Sequence, residues 1–137
     1  MRTIIITGAS GGLAQEMVKL LPNDQLILLG RNKEKLAQLY GNHPHVELIE
    51  IDITDDSALE ALVADLYLRY GKIDVLINNA GYGIFEDFNK ISDQDIHQMF
   101  EVNTFALMNL SRRFAERMKE SRKGHIINIV SMAGLIA

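Results

Sequence analysis

Apolar residues follow two rhythms along the chain: short unbroken runs, and longer stretches where they recur every three or four positions. The unbroken runs read as buried strands. They are Thr3 to Thr7, β-branched and bounded by Gly8; Gln25 to Leu29, closed by Gly30; Val46 to Ile53; Asp74 to Asn78; and His125 to Val130. Helical spacing fills the intervals. Leu13, Met17, Leu20 and Leu21 predict a first helix, stopped by Pro22-Asn23. Leu36, Leu39 and Tyr40 lie on one side of a second, charged stretch punctuated by Gly41 and Pro44. Ser57-Ala58-Leu59-Glu60 has capping-box spacing and opens a third helix carrying Leu59, Leu62, Val63, Leu66 and Tyr70, with Gly71 suited to its C-terminal cap. A second capping box, Ser92-Asp93-Gln94-Asp95, opens a helix that runs on pattern to about Arg122. Its stripe is Ile96, Met99, Phe100, Leu107, Leu110, Phe114 and Met118.

Strands that alternate with helices and are apolar on both faces predict a parallel sheet covered on both sides. Right-handed crossovers leave few topologies. The expected fold is α/β: a Rossmann-like, doubly wound parallel sheet of five strands in order 3-2-1-4-5, forming one domain over residues 1–137. No internal repeat, low-complexity tract or linker interrupts it.

Composition narrows the chemistry. The 137 residues contain no cysteine, which excludes disulfides, thiolate metal sites and cysteine nucleophiles. No metal site is expected. A net charge of −4 offers no electrostatic footprint for nucleic acid or an anionic membrane. The basic stretch from Arg112 to Lys123 most simply complements a helix dipole. No apolar run approaches the roughly 20 residues of a membrane helix, and the first eight residues hold too brief an apolar stretch for a signal peptide. The expectation is a soluble, cytoplasmic protein.

Thr7-Gly8-Ala9-Ser10-Gly11-Gly12-Leu13-Ala14 joins the first strand to the first helix. At such a junction bare backbone can approach a phosphate while unpaired helix N–H groups point at it. A side chain at Gly8 or Gly12 would hold the anion away, and Ser10 can add a hydroxyl donor. The competing reading is a tight turn with a small residue packed on the sheet. No Lys-Ser/Thr pair follows, which excludes a P-loop, and the spacing is not G-x-G-x-x-G.

The spacing T-G-x-x-x-G-x-A resembles the short-chain dehydrogenase/reductase family, with Ala14 in place of the last glycine. Further landmarks follow in the family's order: Asp52 closing the third strand, Asn78-Asn79-Ala80-Gly81 closing the fourth, Asn103 in the long helix, and Asn128-Ile129-Val130-Ser131 closing the fifth. The resemblance implies hydride transfer between a nicotinamide cofactor and a small-molecule carbonyl or alcohol substrate. It implies cofactor binding by Gly8, Ala9, Ser10, Gly11, Gly12 and Leu13, by Arg31, by Asp52 and Ile53 around the adenine, and by Asn79, Ala80 and Gly81. Asn103 and Ser131 take catalytic positions: a proton-relay asparagine bonded to backbone, and the serine that bonds the substrate oxygen. Without the family, each has a blander reading. Asp52 or Ser131 can cap a helix, residues 78–81 can be an ordinary strand-ending turn, and Asn103 can satisfy a buried carbonyl.

NAD-specific relatives carry an acid at the end of the second strand. Here the residues are Gly30-Arg31-Asn32-Lys33, with no acid until Glu34. A guanidinium can grip a 2′-phosphate through two hydrogen bonds, so NADP(H) is expected over NAD(H). The alternative is that Arg31 and Lys33 solvate a helix start.

The family's Tyr-x-x-x-Lys pair, in which lysine lowers the tyrosine pKa, does not occur: Tyr40, Tyr67, Tyr70 and Tyr82 meet Pro44, Gly71, Asp74 and Glu86. The chain is therefore expected to be the N-terminal part of a longer enzyme or a truncated product, C-terminally incomplete and catalytically silent alone. The last strand would be an uncovered apolar edge. The 92–122 helix is apolar also at Val102, Phe105, Ala106 and Met108, which points to homo-oligomer contacts through it. A second reading is a non-catalytic dinucleotide-binding or regulatory module. A flavodoxin-like domain would leave residues 78–81 and Ser131 as coincidences.

Overall fold

The computed structural model describes residues 1–84 and 86–130. Five parallel strands, β1 (Thr3–Ile6), β2 (Gln25–Gly30), β3 (Val46–Glu50), β4 (Val75–Asn78) and β5 (His125–Asn128), form one sheet in the expected order β3-β2-β1-β4-β5. Helices α1 (Gly12–Lys19), α2 (Lys33–Tyr40), α3 (Asp56–Tyr70), α4 (Asp93–Phe100) and α5 (Leu107–Ser121) make the crossovers. Among the described residues no helix is long and apolar enough to cross a membrane.

The unbroken apolar runs follow from this geometry, because successive strand residues point to opposite faces and both faces are covered. Ile5, Ile27 and Leu29 pack with Leu59, Leu66 and Phe114 of α3 and α5. Ile4, Ile6, Leu26 and Leu28 face Ala14, Val18, Leu36 and Tyr40 of α1 and α2. Each fully buried aliphatic side chain contributes about 1.5–3 kcal/mol relative to exposure, so the central strands anchor whatever is built on their ends.

Three expectations need correction. In α1 the buried positions are Ala14 and Val18, with Met17 and Leu21 half-buried, whereas Leu13 and Leu20 are exposed. Ala14 leaves only a methyl between helix and sheet, which turns the seam away from Leu13. In α3 the cap is Asp55, whose side chain accepts the Ala58 N–H at 3.1 Å, so the helix starts before Ser57. The 92–122 helix is not uniform: α4 and α5 are joined by a π-helical stretch, Glu101–Ala106. The wide turns shift the helix's phase, as such bulges do. Leu110, Phe114 and Met118 are therefore buried, Ile96, Met99 and Leu107 only half-buried, and Phe100 exposed. Of the supposed second face, Val102 and Ala106 enter the core, while Phe105 and Met108 stay exposed.

The β3 edge is tied down by charge. Arg69 of α3 donates to both Glu47 oxygens at 2.8 and 2.7 Å, and Tyr70 donates its hydroxyl to the same carboxylate. Hydrogen bonding from Arg69 holds the Glu47 carboxyl below its usual pKa.

Candidate functional site

The C-terminal ends of β1, β2 and β4 open onto one cleft, the place where parallel sheets take ligands. Its floor is the glycine turn after β1. Thr7 continues the strand by donating its N–H to the Ile77 carbonyl at 3.1 Å. The Thr7 hydroxyl accepts two backbone N–H groups, from Asn79 at 3.0 Å and Ala80 at 2.9 Å. The Asn79 side chain returns the bond, its amide donating to the Gly8 carbonyl at 3.2 Å. Next along, the Ala9 N–H donates to the Leu29 carbonyl at 3.0 Å, and the buried Tyr40 hydroxyl donates to the Ala9 carbonyl at 2.5 Å. Burial raises the pKa of Tyr40, so it keeps the proton it donates. The turn is thus held to β2, β4 and α2 at once.

Two glycines serve different ends. Gly8 has φ +61°, and a Cβ there would lie 2.7 Å from the Ala80 Cα. It lets the two strand-ending loops touch. A Cβ on Gly12 would meet nothing within 4 Å and would stand in open space at the start of α1.

That helix start is unlike the others that leave a loop. Asn32 caps α2, Asp55 caps α3 and Ser92 caps α4 with side-chain acceptors, and each of these helices has an acid in its first turn. Helix α1 follows Gly11 with no side-chain cap and no acidic residue in its first turn. Its first amides and the positive end of its dipole face the cleft without a counter-charge.

Two adjoining cavities make up the cleft. One, of about 340 Å³, lies over the glycine turn between Gly12 and Gly81. The other, about 170 Å³, runs between the ends of β2 and β3 past Arg31, Asp52 and Ile53. Gly8, Ser10, Gly11, Gly12, Leu13, Arg31, Asp52, Ile53, Asn79, Ala80 and Gly81 all line one or the other. Ala9 does not; it is fully buried beneath the turn. Asp52 caps no helix. Its carboxylate accepts the Thr54 N–H at 3.0 Å and hydroxyl at 2.7 Å, which lower its pKa, and Arg31 lowers it further. A third cavity of about 520 Å³, between Tyr67 of α3 and Arg117 of α5, lies toward the other end of the sheet.

Asn103 sits in the π-helical stretch and is exposed, not buried as its place in the apolar stripe suggested. Both ends of its amide are engaged: Oδ1 accepts the Tyr82 N–H at 2.9 Å and Nδ2 donates to the Tyr82 carbonyl at 2.6 Å. It therefore acts as a positioning residue for the segment after Gly81, at the cleft's rim. Ser131 lies outside the described residues. Behind the site, buried Asn78 donates to Ser111 Oγ and Asn128 Oδ1, both at 2.9 Å, tying β4 to α5 and β5.

Thr7, Tyr40 and Tyr82 were not singled out for the site from sequence. Thr7 stood inside the motif and carried a signal. Tyr40 read as a helix core residue, and only the fold shows its hydroxyl meeting a residue 31 positions away.

Comparison with known proteins agrees with the geometry. The family model described as short chain dehydrogenase matches residues 2–137. An uncharacterized oxidoreductase of Staphylococcus saprophyticus is 35% identical over 97% of this chain and 56% of its own. An NADP-dependent 3-hydroxy acid dehydrogenase of Shigella flexneri is 30% identical over 96% of this chain and 54% of its own. A metagenomic short-chain oxidoreductase crystallised with NADP superposes with a TM-score of 0.87 at 30% identity, covering 97% of this chain and 63% of that one. The chain thus spans about half the length of these curated relatives. With the sheet order, the glycine turn and the family match in agreement, this chain belongs to the short-chain dehydrogenase family.

Proposed function

We propose that these residues form the NADP(H)-binding part of an oxidoreductase acting on a small carbonyl or alcohol substrate. The observation that carries the reading is the uncapped start of α1 over an open glycine turn, where an added Cβ at Gly12 would meet nothing within 4 Å. A dinucleotide pyrophosphate fits that cradle chemically: bare N–H donors, an uncompensated dipole and the Ser10 hydroxyl at its wall. The bound cofactor would supply or accept the hydride. The chain's own residues bind and orient it. Gly8, Gly11, Gly12 and Leu13 line the phosphate side, Asp52 and Ile53 the adenine side, and Asn79 to Gly81 the side toward the reaction.

Arg31 supports NADP(H) over NAD(H). It is exposed at the end of β2 and, among the described residues, makes no ion pair. A guanidinium presents a forked donor set to a 2′-phosphate. The dehydrogenase of Shigella flexneri carries NADP dependence in its name, and the metagenomic oxidoreductase was crystallised with NADP. Because the Tyr-x-x-x-Lys pair is absent from these 137 residues, the chain alone is proposed to bind cofactor without turning over substrate.

Titration with NADPH and NADH, followed by thermal unfolding, tests this. A ligand bound only by the folded state at 100 times its dissociation constant adds about 2.7 kcal/mol. NADPH should stabilise more than NADH, and Arg31→Asp should weaken NADPH and affect NADH less. Absence of any shift with either cofactor would remove the proposal; equal loss of both in Arg31→Asp would remove only the preference.

A further inference from the structure

Arg31 is not alone at the end of β2. Glu50 closes β3 directly beside Gly30, its register partner, and the Ile51 N–H donates to the Gly30 carbonyl at 2.8 Å. The exposed Glu50 side chain reaches across, and Oε1 accepts the Lys33 N–H at 3.0 Å. The residues flanking Arg31 and Asn32, Gly30 and Lys33, are thus both bonded to the end of β3. A fixed carboxylate stands at the start of α2, within the few residues where the cofactor's 2′ substituent is to be read.

A second backbone donor at this helix start is engaged as well. Asn32 accepts the Lys35 N–H at 3.1 Å, so a phosphate arriving here finds the Lys33 and Lys35 amides taken and a negative charge beside them. Among the described residues the side chains of Arg31, Lys33 and Lys35 form no ion pair, and of these three Arg31 alone lines the cleft. Asp52, two residues beyond Glu50, is held below its usual pKa chiefly by hydrogen bonds from Thr54 and further by the nearby Arg31 charge.

We propose that Glu50 is a specificity-determining residue that opposes Arg31: its carboxylate disfavours a 2′-phosphate and can accept a hydrogen bond from a 2′-hydroxyl. The inference rests on the dinucleotide reading above and deepens it. Arg31 pulls the site toward NADP(H), Glu50 pulls it back, and their balance leaves NAD(H) a usable ligand. A carboxylate and a phosphate a few ångströms apart in water repel by about 1 kcal/mol, worth about fivefold in affinity.

Glu50→Gln removes the charge and keeps an acceptor for Lys33, so helix α2 retains its tie. In the purified protein, the ratio of NADH to NADPH dissociation constants should rise about fivefold, chiefly through tighter NADPH, with the unfolding temperature unchanged. The rise should shrink between 50 and 500 mM salt, as screening of an exposed charge requires. Glu50→Ala loses both charge and acceptor, and should show the same ratio with a lower unfolding temperature. A ratio unchanged in Glu50→Gln, or shifted only in Glu50→Ala, overturns the inference while leaving the dinucleotide reading standing. A parent protein that binds neither dinucleotide overturns both.

Discussion

The glycine turn and the Tyr82–Asn103 junction border the same cleft, yet they are held in opposite ways. The turn is bonded from beneath by buried groups on three elements, through Thr7, Leu29 and Tyr40. The junction rests on one exposed amide reaching from a π-helical stretch to one exposed peptide. Water competes for the second set of bonds and is shut out from much of the first, so each bond of the turn adds more rigidity than each bond of the junction. The phosphate end of the cleft is preorganised, and the end toward the reaction can open.

The sharpest attack on this contrast is Gly8→Ala. A methyl at φ +61°, 2.7 Å from the Ala80 Cα, should cost about 3 kcal/mol or more and abolish NADPH binding. Gly81→Ala offers the control at the junction. Its Cβ would meet the Asn103 side chain, with Oδ1 at 3.0 Å, and denaturant melts should show a loss under about 1 kcal/mol. Next comes Thr7→Val, which keeps the shape and removes the shared acceptor of two N–H groups; the expected loss is about 2 kcal/mol in the same melts. Tyr40→Phe should cost about 1 kcal/mol by leaving the Ala9 carbonyl unpaired, with NADPH binding weakened severalfold by calorimetry. Smallest in stability is Asn103→Ala, under about 0.5 kcal/mol. Its mark should be faster proteolysis or hydrogen exchange at residues 82–84. If Asn103→Ala proved as destabilising as Thr7→Val, the contrast between the two borders would be gone.

These differences explain what could be read from sequence. The strand set and order were legible because Ile4 to Ile6 and Leu26 to Leu29 are buried on both faces, which forces unbroken apolar runs. The glycine turn was legible because its demands are local: a positive φ at Gly8 and open space at Gly12. The bond from Tyr40 to Ala9 was not, since a core tyrosine and a tyrosine aimed at a loop share one helical spacing. Nor was the π-helical stretch. Its wider turn arises where Asn103 engages Tyr82 and Val102 enters the core, contacts set by the assembled fold. Leu13 shows the same limit: apolar spacing suggested a core residue, and the structure turns it out to the cleft. The Glu50 tie depends on β2–β3 register, which no local pattern encodes.

The fastening of Glu47 by Arg69 and Tyr70 makes the two margins of the sheet unlike. An outer strand whose carboxylate is already gripped by its own crossover helix makes a poor docking rail for a foreign strand. At the opposite margin, Ile126 and Ile127 are half-buried beside main-chain groups that, among the described residues, are paired on one flank only. A further strand, from this polypeptide or another, therefore meets a charged margin at β3 and an apolar one at β5.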